Sequence, residues 1–280
     1  MEQPRAKPYA SLGPKHVIIV KRYWQIYRTF FVSSFARELE FRANFFAKIL
    51  QNGIWISFFI LILLVIYRNT DSVAGWSRGD SFILAATIFI MTSMGTAIFM
   101  SIMEIPQHVR QGTLDFIVTK PIDSQFWIST RRFNFDKFGT FVAGIVMLIV
   151  GVVQANASPD PIAWLSYVVL LFASLFIYYA VSLMLMTTGI WLVRVDNLWV
   201  LTETLTDVAR FPVDIYGPNI RSFMTFVLPM AFIATIPASQ LVHGADLRLV
   251  GLGLVWAFVF MVLARVFWKF AMRHYTSASS

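Results

Sequence analysis

The sequence contains no cysteine, and only 14% of its 280 residues are charged. Without cysteine the chain can form no disulfide and no thiolate metal site, and it has no cysteine nucleophile. Soluble chains average about 25% charged residues. A water-soluble domain of this length could not cover its surface with so few charges. The composition therefore excludes an ordinary cytosolic enzyme, a disordered tail and a small disulfide-stapled domain.

Common catalytic motifs are also missing. The sequence has no Gly-Lys pair, so it contains no P-loop that could hold a nucleoside triphosphate. The patterns H-E-x-x-H and G-x-S-x-G are absent, and the four histidines are scattered. We therefore expect no catalytic residue, no metal site and no cofactor bound by this chain, and an intramembrane enzyme is a poor alternative.

Long apolar runs make up much of the chain, which is 58% hydrophobic. Six of them contain no Asp, Glu, Lys or Arg: Ile49–Tyr67, Ser81–Met103, Phe138–Pro159, Pro161–Val193, Ser222–Ala245 and Leu249–Ala264. A helix that crosses the hydrocarbon layer needs about 20 apolar residues. The runs lack the alternation of a membrane barrel. The last run is short, but Arg265 at its end can snorkel to the interface.

The predicted fold is therefore an all-α integral membrane protein with six transmembrane helices. A transmembrane domain at 46–273 contains predicted spans at about 46–67, 82–103, 138–156, 164–193, 222–242 and 249–268. An even number of spans places both termini on one side. With cytoplasmic termini, the outer loops hold only Arg68, Arg78 and Arg248 of the 23 basic residues, as the positive-inside rule requires. The distribution of the basic residues thus explains the net charge of +8 by a basic inner membrane face and not by a nucleic-acid partner.

The first 45 residues are predicted to form a cytoplasmic tail and an amphipathic interfacial helix. Aromatic and basic residues interleave from Lys21 to Lys48, and Val20, Tyr23, Tyr27 and Phe30 recur at helical spacing. Two interpretations remain open. The segment is either a general membrane-proximal basic helix or an elbow helix that leads into the first span.

The six charge-free runs contain no Asp, Glu, Lys or Arg, which argues against an ion-coupled carrier or a charged pore. Any transport energy must then come from another subunit. Pro229 and Pro237 interrupt the fifth span and could make it a moving or cavity-forming element. Aromatic side chains in the spans could line a cavity or simply pack in the core or against lipid; the candidates are Phe89, Phe99 and Tyr178. Small residues at Ser93, Ala97 and Ser101 indicate close helix packing, within the subunit or against a second one.

The loop at 104–134 is the most informative polar segment. A short helix is predicted to end with Gly112 as its C′ residue, and Pro121 ends the following segment. Leu114, Phe116 and Ile117 are more apolar than a solvated loop needs. The loop could therefore dock into a groove of another protein or rest on the membrane as an amphipathic connector.

Two segments resemble a known family. The stretch from Arg110 to Ile122, RQGTLDFIVTKPI, resembles the segment between spans two and three of type-2 ABC exporter permeases, in the six-span branch whose permeases often occur as pairs. The stretches RFPVDIY from Arg210 and LPMAFIATIPA from Leu228 are similar to two other segments of that branch. The likeness covers nearly all of Tyr23–Arg273.

The resemblance implies roles for particular residues. The residues implied to couple to an ATPase are Arg110, Gly112, Leu114, Asp115 and Pro121. The residues implied to form the cytoplasmic approach to the fifth span are Arg210, Pro212, Asp214 and Tyr216. Pro229 and Pro237 would then belong to a broken gating helix.

The resemblance also implies a function. The chain would be a permease subunit of an ATP-driven ABC exporter, passing a hydrophobic or amphipathic substrate such as a drug (multidrug export), an organic cation or a lipid-like molecule. Its expected partners are an ABC ATPase that binds ATP and Mg, a second copy or a distinct homologous permease as a heterodimer, and the lipid bilayer. The expected location is the bacterial cytoplasmic (inner) membrane. The alternative is a non-transporting scaffold or lipid-binding subunit, which would co-purify with no ATPase.

Overall fold

The computed structural model describes residues 15–40, 42–192 and 198–275. Within these ranges the chain forms thirteen α-helices and one β-hairpin. The helices are α1 Lys15–Glu40, α2 Arg42–Ile66, α3 Arg78–Phe99, α4 Ile105–Arg110, α5 Asp115–Val118, α6 Ser124–Thr130, α7 Phe138–Gln154, α8 Pro161–Thr187, α9 Leu198–Val208, α10 Pro218–Phe226, α11 Met230–Ile233, α12 Thr235–Val242 and α13 Leu247–Arg273. The hairpin pairs β1 Ser72–Val73 with β2 Trp76–Ser77. Short 3-10 turns occupy Met100–Glu104, Phe135–Lys137, Thr188–Ile190 and Val213–Ile215.

Five helical stretches of the described residues are long and apolar enough to cross a membrane. They are Phe45–Ile66, Arg78–Arg110, Phe135–Gln154, Pro161–Ile190 and Leu247–Arg273. The all-helical, multi-span class is therefore confirmed. Five of the six predicted spans lie on these stretches.

The remaining predicted span, 222–242, is not one helix. The chain there is divided among α10, α11 and α12. Pro229 immediately precedes α11 and cannot donate a backbone hydrogen bond. Pro237 lies in the first turn of α12, where a missing N–H breaks no helical bond. The six-span count and the orientation of the termini are consequently not confirmed.

The bundle has two distinguishable ends. At one end, which we call the hairpin end, the β-hairpin and the connectors 155–160 and 243–246 come together. A Cβ at Gly79 would lie 2.3 Å from the Ala155 backbone nitrogen, and the His243 ring packs edge-on against Trp76 with centroids 5.7 Å apart. The opposite end, the loop end, contains residues 104–137 and 188–192.

Helices α3 and α7 pack so closely that two glycines are required between them. A Cβ at Gly151 would lie 2.8 Å from the Ile83 backbone nitrogen, and one at Gly144 would lie 2.8 Å from Ile90 Cγ1. Seven residues separate these glycines, which places both on one face of α7. Small residues that bring backbones together are the usual basis of helix association in membranes.

Helix α1 lies along the loop end. Tyr23 packs edge-on against Phe126 at a centroid separation of 4.8 Å, and Tyr27 packs against Phe133 at 5.2 Å. The Ser34 hydroxyl accepts a hydrogen bond from the Phe133 backbone amide at 3.2 Å. The aromatic residues predicted to face a membrane interface therefore also hold the connector 126–133 in place. Helix α2 follows α1 in the chain and contains the first long apolar stretch, and the elbow-helix interpretation stays a prediction.

Candidate functional site

The predicted coupling loop folds into three short helices, α4, α5 and α6. Gly112 follows α4 with a φ of 65°, and the Thr113 and Leu114 amides both donate to the His108 carbonyl, at 3.0 and 3.2 Å. This is the predicted C′ position, where a side chain would strain the left-handed backbone. The turn reverses the chain direction, so that α5 follows α4 at the loop end.

The apolar residues of α5 and its N-cap differ widely in exposure. Leu114 is completely buried and Ile117 nearly so, whereas Phe116 is 71% exposed and Val118 47% exposed. Leu114 was expected to take part in coupling, but its side chain does not reach the surface. It anchors the segment to the bundle and leaves Phe116 and Val118 for any contact with another protein.

The remaining coupling candidates lie beside this segment. Arg110 ends α4 and Asp115 begins α5. Burial raises the pKa of the Tyr275 phenol, and the nearby Asp115 carboxylate raises it further. The Pro121 carbonyl accepts a hydrogen bond from Arg22 of α1 at 3.1 Å. The loop is therefore in contact with both terminal helices, α1 and the end of α13.

Glu104 connects the two ends of the loop. Its carboxylate forms ion pairs with Arg131 and Arg132 and lies 3.8 Å from the His108 Nε2. Glu104 precedes α4 and the two arginines follow α6. A partly buried carboxylate with two arginine partners is a strong charge-assisted contact. The segment between these residues thus forms one connected unit.

Asp123 ties this unit to α13. Its carboxylate pairs with Arg265 and accepts the Phe126 amide at 2.9 Å, which caps α6. Burial by itself would raise the pKa of the Asp123 carboxyl, but the hydrogen bonds from Arg265 and from the backbone outweigh it, and that pKa lies below its ordinary value. Arg265 was expected to snorkel toward lipid headgroups, and the structure instead gives it a protein partner.

A cavity of about 760 Å³ opens among α2, α3, α8, α9 and residues 134–140. Of the predicted cavity aromatics, Phe89 and Tyr178 line it. Phe99 is not among its lining residues and packs against Tyr179 with ring centroids 4.6 Å apart. The cavity lining on α3 includes a polar stripe of Thr92, Ser93 and Thr96. On α2 the aromatic ring of Trp55 also lines the cavity.

Charged side chains also line the cavity. Lys48 pairs with Asp136 at 2.9 Å, and Arg210 pairs with Asp207 at 2.7 Å. The Arg210 guanidinium lies 5.5 Å from the centroid of Trp55, which stands midway along the apolar stretch Phe45–Ile66. The charged residues that line the cavity all lie outside the six charge-free runs. Because α9 contains acidic residues, no charge-free run could reveal that it lines the cavity.

The segment 210–216 lies away from the coupling loop. Asp214 accepts a hydrogen bond from Trp76 Nε1 at 3.0 Å and pairs with Arg221 at 2.8 Å. The Val213 amide donates to Thr235 Oγ1 at 3.4 Å. Trp76 belongs to the β-hairpin, so the chain from Arg210 through Pro212 and Asp214 to Tyr216 leads to the hairpin end. Its expected place on the same side as residues 104–134 is corrected, because the Asp214 side chain contacts Trp76 at the hairpin end.

Comparison with known proteins gives one family. The family described as ABC-2 family transporter protein matches residues 54–279. This range contains the loop, the cavity helices α3, α8 and α9, and the broken segment α10–α12. No curated protein matches the chain.

Proposed function

The chain belongs to the ABC-2 family transporter proteins, the type-2 ABC permeases, and from this premise we propose that it is the membrane subunit of an ATP-driven exporter. Permeases of this family are transport components and normally work with an ABC ATPase. The proposed substrate is a hydrophobic or amphipathic molecule. The proposed location is the bacterial cytoplasmic membrane with both termini inside, which the distribution of basic residues supports.

The observation that carries the proposal is the exposed ring of Phe116 on α5. Leu114 and Ile117 hold the segment to the bundle, while Phe116 projects from it. An exposed aromatic side chain on a short helix can enter a groove of a partner protein. On its inner side the same unit contacts α13 through Asp123 and Arg265. A displacement of α5 would therefore be passed to a membrane helix.

The proposed transport cycle needs two arrangements of the complex. ATP binding closes the partner ATPases, α5 moves with them, and the cavity changes the side to which it opens. A ligand shifts such an equilibrium only by its differential affinity for the two arrangements. A second permease, either another copy or a distinct homologue, completes the proposed pathway. The helical stretch Phe45–Ile66 supports the presence of a second permease, because only 17% of its apolar segment is buried by the rest of the chain.

The test is co-purification with the ABC ATPase from the source cells. Phe116→Ser should reduce recovery of the ATPase at least roughly fivefold, since a central apolar anchor contributes 1 kcal/mol or more to an interface. Phe46→Ser is the matched control, because Phe46 is 66% exposed but lies on α2. Full ATPase recovery with Phe116→Ser contradicts the coupling role. Failure of the unaltered chain to bind any ATPase would favour the scaffold alternative.

A further inference from the structure

The charges around the cavity are balanced. Its lining includes three basic residues, Lys48, Lys137 and Arg210, and three acidic residues, Asp136, Glu203 and Asp207. The volume of about 760 Å³ lies within the usual range of small-molecule sites, about 300–1,000 Å³. Apolar contact is supplied mainly by Trp55 and Phe89. The lining is therefore that of a site for a small amphiphile, with no excess of either charge.

Two of these charges lack an ion-pair partner within the described part of the chain. Lys48 is matched by Asp136 and Arg210 by Asp207. Lys137 has a hydrogen bond of 3.4 Å from its Nζ to the Asn52 side-chain oxygen but no carboxylate within ion-pair distance. Glu203 likewise has no basic group within that distance, although Lys137 and Arg210 lie near enough to attract its carboxylate electrostatically. One cation and one anion thus line the same cavity without contacting each other.

These residues come from different elements. Lys137 ends the 3-10 turn before α7, and Glu203 lies in the middle of α9. Glu203 is exposed and Lys137 partly exposed, so a guest that covers them displaces water from both charges. A neutral guest would supply an ion-pair partner to neither charge, and a guest with one charge would supply a partner to only one. Displacing water from a charge without supplying a partner is costly. A guest that carries both charges can satisfy both residues at once.

We infer that the cavity binds a zwitterionic amphiphile, with its cationic group at Glu203, its anionic group at Lys137 and its apolar part against Trp55 and Phe89. This inference rests on the proposed transport function. It restricts the proposed substrate from amphiphiles in general to zwitterionic amphiphiles. Two sources share this chemistry, a phospholipid headgroup and a short peptide with free termini.

The test measures binding to the full chain in nanodiscs of digalactosyldiacylglycerol, an uncharged lipid that does not compete for the site. The radiolabelled probes share a twelve-carbon chain: dodecylphosphocholine is zwitterionic, dodecyltrimethylammonium is cationic and dodecyl sulfate is anionic. Each is used below its micelle concentration, with empty nanodiscs as background. Trileucine with free termini and its acetylated, amidated form distinguish a peptide source from a lipid source.

Wild-type protein should bind dodecylphosphocholine about fivefold more tightly than either singly charged probe, as expected for one extra pairing at a hydrated site. Glu203→Gln should remove this advantage over dodecyl sulfate, and Lys137→Gln should remove it over dodecyltrimethylammonium. Glu40→Gln and Lys269→Gln remove exposed charges outside the cavity and should change nothing. Preferential binding of free trileucine over its blocked form would identify the peptide as the source.

Equal affinity for the three C12 probes, or a preference of the wild type for a singly charged one, overturns the inference. Each variant is checked for a single size-exclusion peak, and either one alone supplies a complete test if the other does not fold. The assay contains no ATPase. A negative result here therefore leaves the result with Phe116 intact, and loss of ATPase association leaves the binding result intact.

Discussion

Asp123 and Arg265 join the loop end of the bundle to its last membrane helix. They are far apart in sequence, yet the Asp123 carboxylate pairs with Arg265 and at the same time caps α6. Arg265 also donates to the Gln125 side-chain oxygen at 2.8 Å, and Trp268 Nε1 donates to Ser124 Oγ at 3.1 Å. All these contacts are between the start of α6 and the second half of α13. They form a joint through which the loop and α13 move together.

Asp123 forms an ion pair and caps α6, and substitutions can separate the contributions of these two contacts to stability. Asp123→Asn keeps a good N-cap but removes the ion pair, and we expect a loss of about 1 kcal/mol because both side chains are about one-third exposed. Asp123→Ala removes the cap as well and should cost about 1 kcal/mol more. Thermal unfolding in detergent measures both. Equal stability of wild type and Asp123→Asn would show that the pair contributes nothing.

The same joint should depend on pH in a defined direction. The folded-state pKa of Asp123 is lowered, so its contribution is fully present above the unfolded value of about 3.9 and is lost as the pH falls through the folded value. The stability difference between wild type and Asp123→Asn should therefore be constant from pH 7 to about pH 4 and shrink at lower pH. Asp71→Asn, at an exposed hairpin position, is the control. A difference that grows on acidification would contradict the assigned pair.

Local composition was sufficient for most of the fold. Five of the charge-free runs lie on long helices because continuous apolar sequence alone requires a helix in lipid. Helix α9 could not be found in this way. It carries Glu203 and Asp207, and its position beside the cavity is fixed by contacts with distant residues, such as that of the neighbouring Arg210 with Trp55. Such contacts are tertiary, and no window of sequence contains them.

The aromatic residues of α3 are a second example of a feature that the sequence predicted only in part. Phe89 lines the cavity, together with Thr92, Ser93 and Thr96, which follow at helical spacing on one face of α3. Phe99 is the last residue of α3, where the backbone leaves helical geometry with φ −113° and ψ 17°. Its ring packs against Tyr179 instead. The polar stripe on α3 was the signal in the sequence that could have identified the correct face.

The contact between α3 and α7 allows a prediction with an internal control. Gly151→Ala would place a methyl group 2.8 Å from the Ile83 backbone nitrogen and 3.1 Å from the Phe82 carbonyl carbon, and backbone cannot move aside as a side chain can. We expect a loss of about 1–3 kcal/mol. Gly251→Ala, where no atom lies within 4 Å, should be neutral or slightly stabilising. Size-exclusion profiles after heating compare the two, and equal losses would argue against the close packing.

The side of the membrane on which residues 210–216 lie can be tested by cysteine labelling, because the chain has no cysteine of its own. Each introduced cysteine is then the sole target of a membrane-impermeant maleimide. Ile215→Cys, in the turn next to Asp214, and Asp71→Cys, beside the β-hairpin, should be labelled from the same side of sealed vesicles. Lys120→Cys, in the coupling loop, should be labelled from the opposite side. All three positions are exposed.

This labelling pattern separates two paths for the chain. If α9 packs through the bundle, the Asp214 carboxylate reaches Trp76 and residue 215 shares the side of residue 71. If the segment instead lay on the same side as the coupling loop, as the cytoplasmic approach to the fifth span that the resemblance implied, residue 215 would be labelled together with residue 120. The second result would also remove Arg210 and Glu203 from the cavity wall, because both lie on or next to α9. The proposed zwitterion site would then lose its anionic residue, so the labelling and binding experiments must agree.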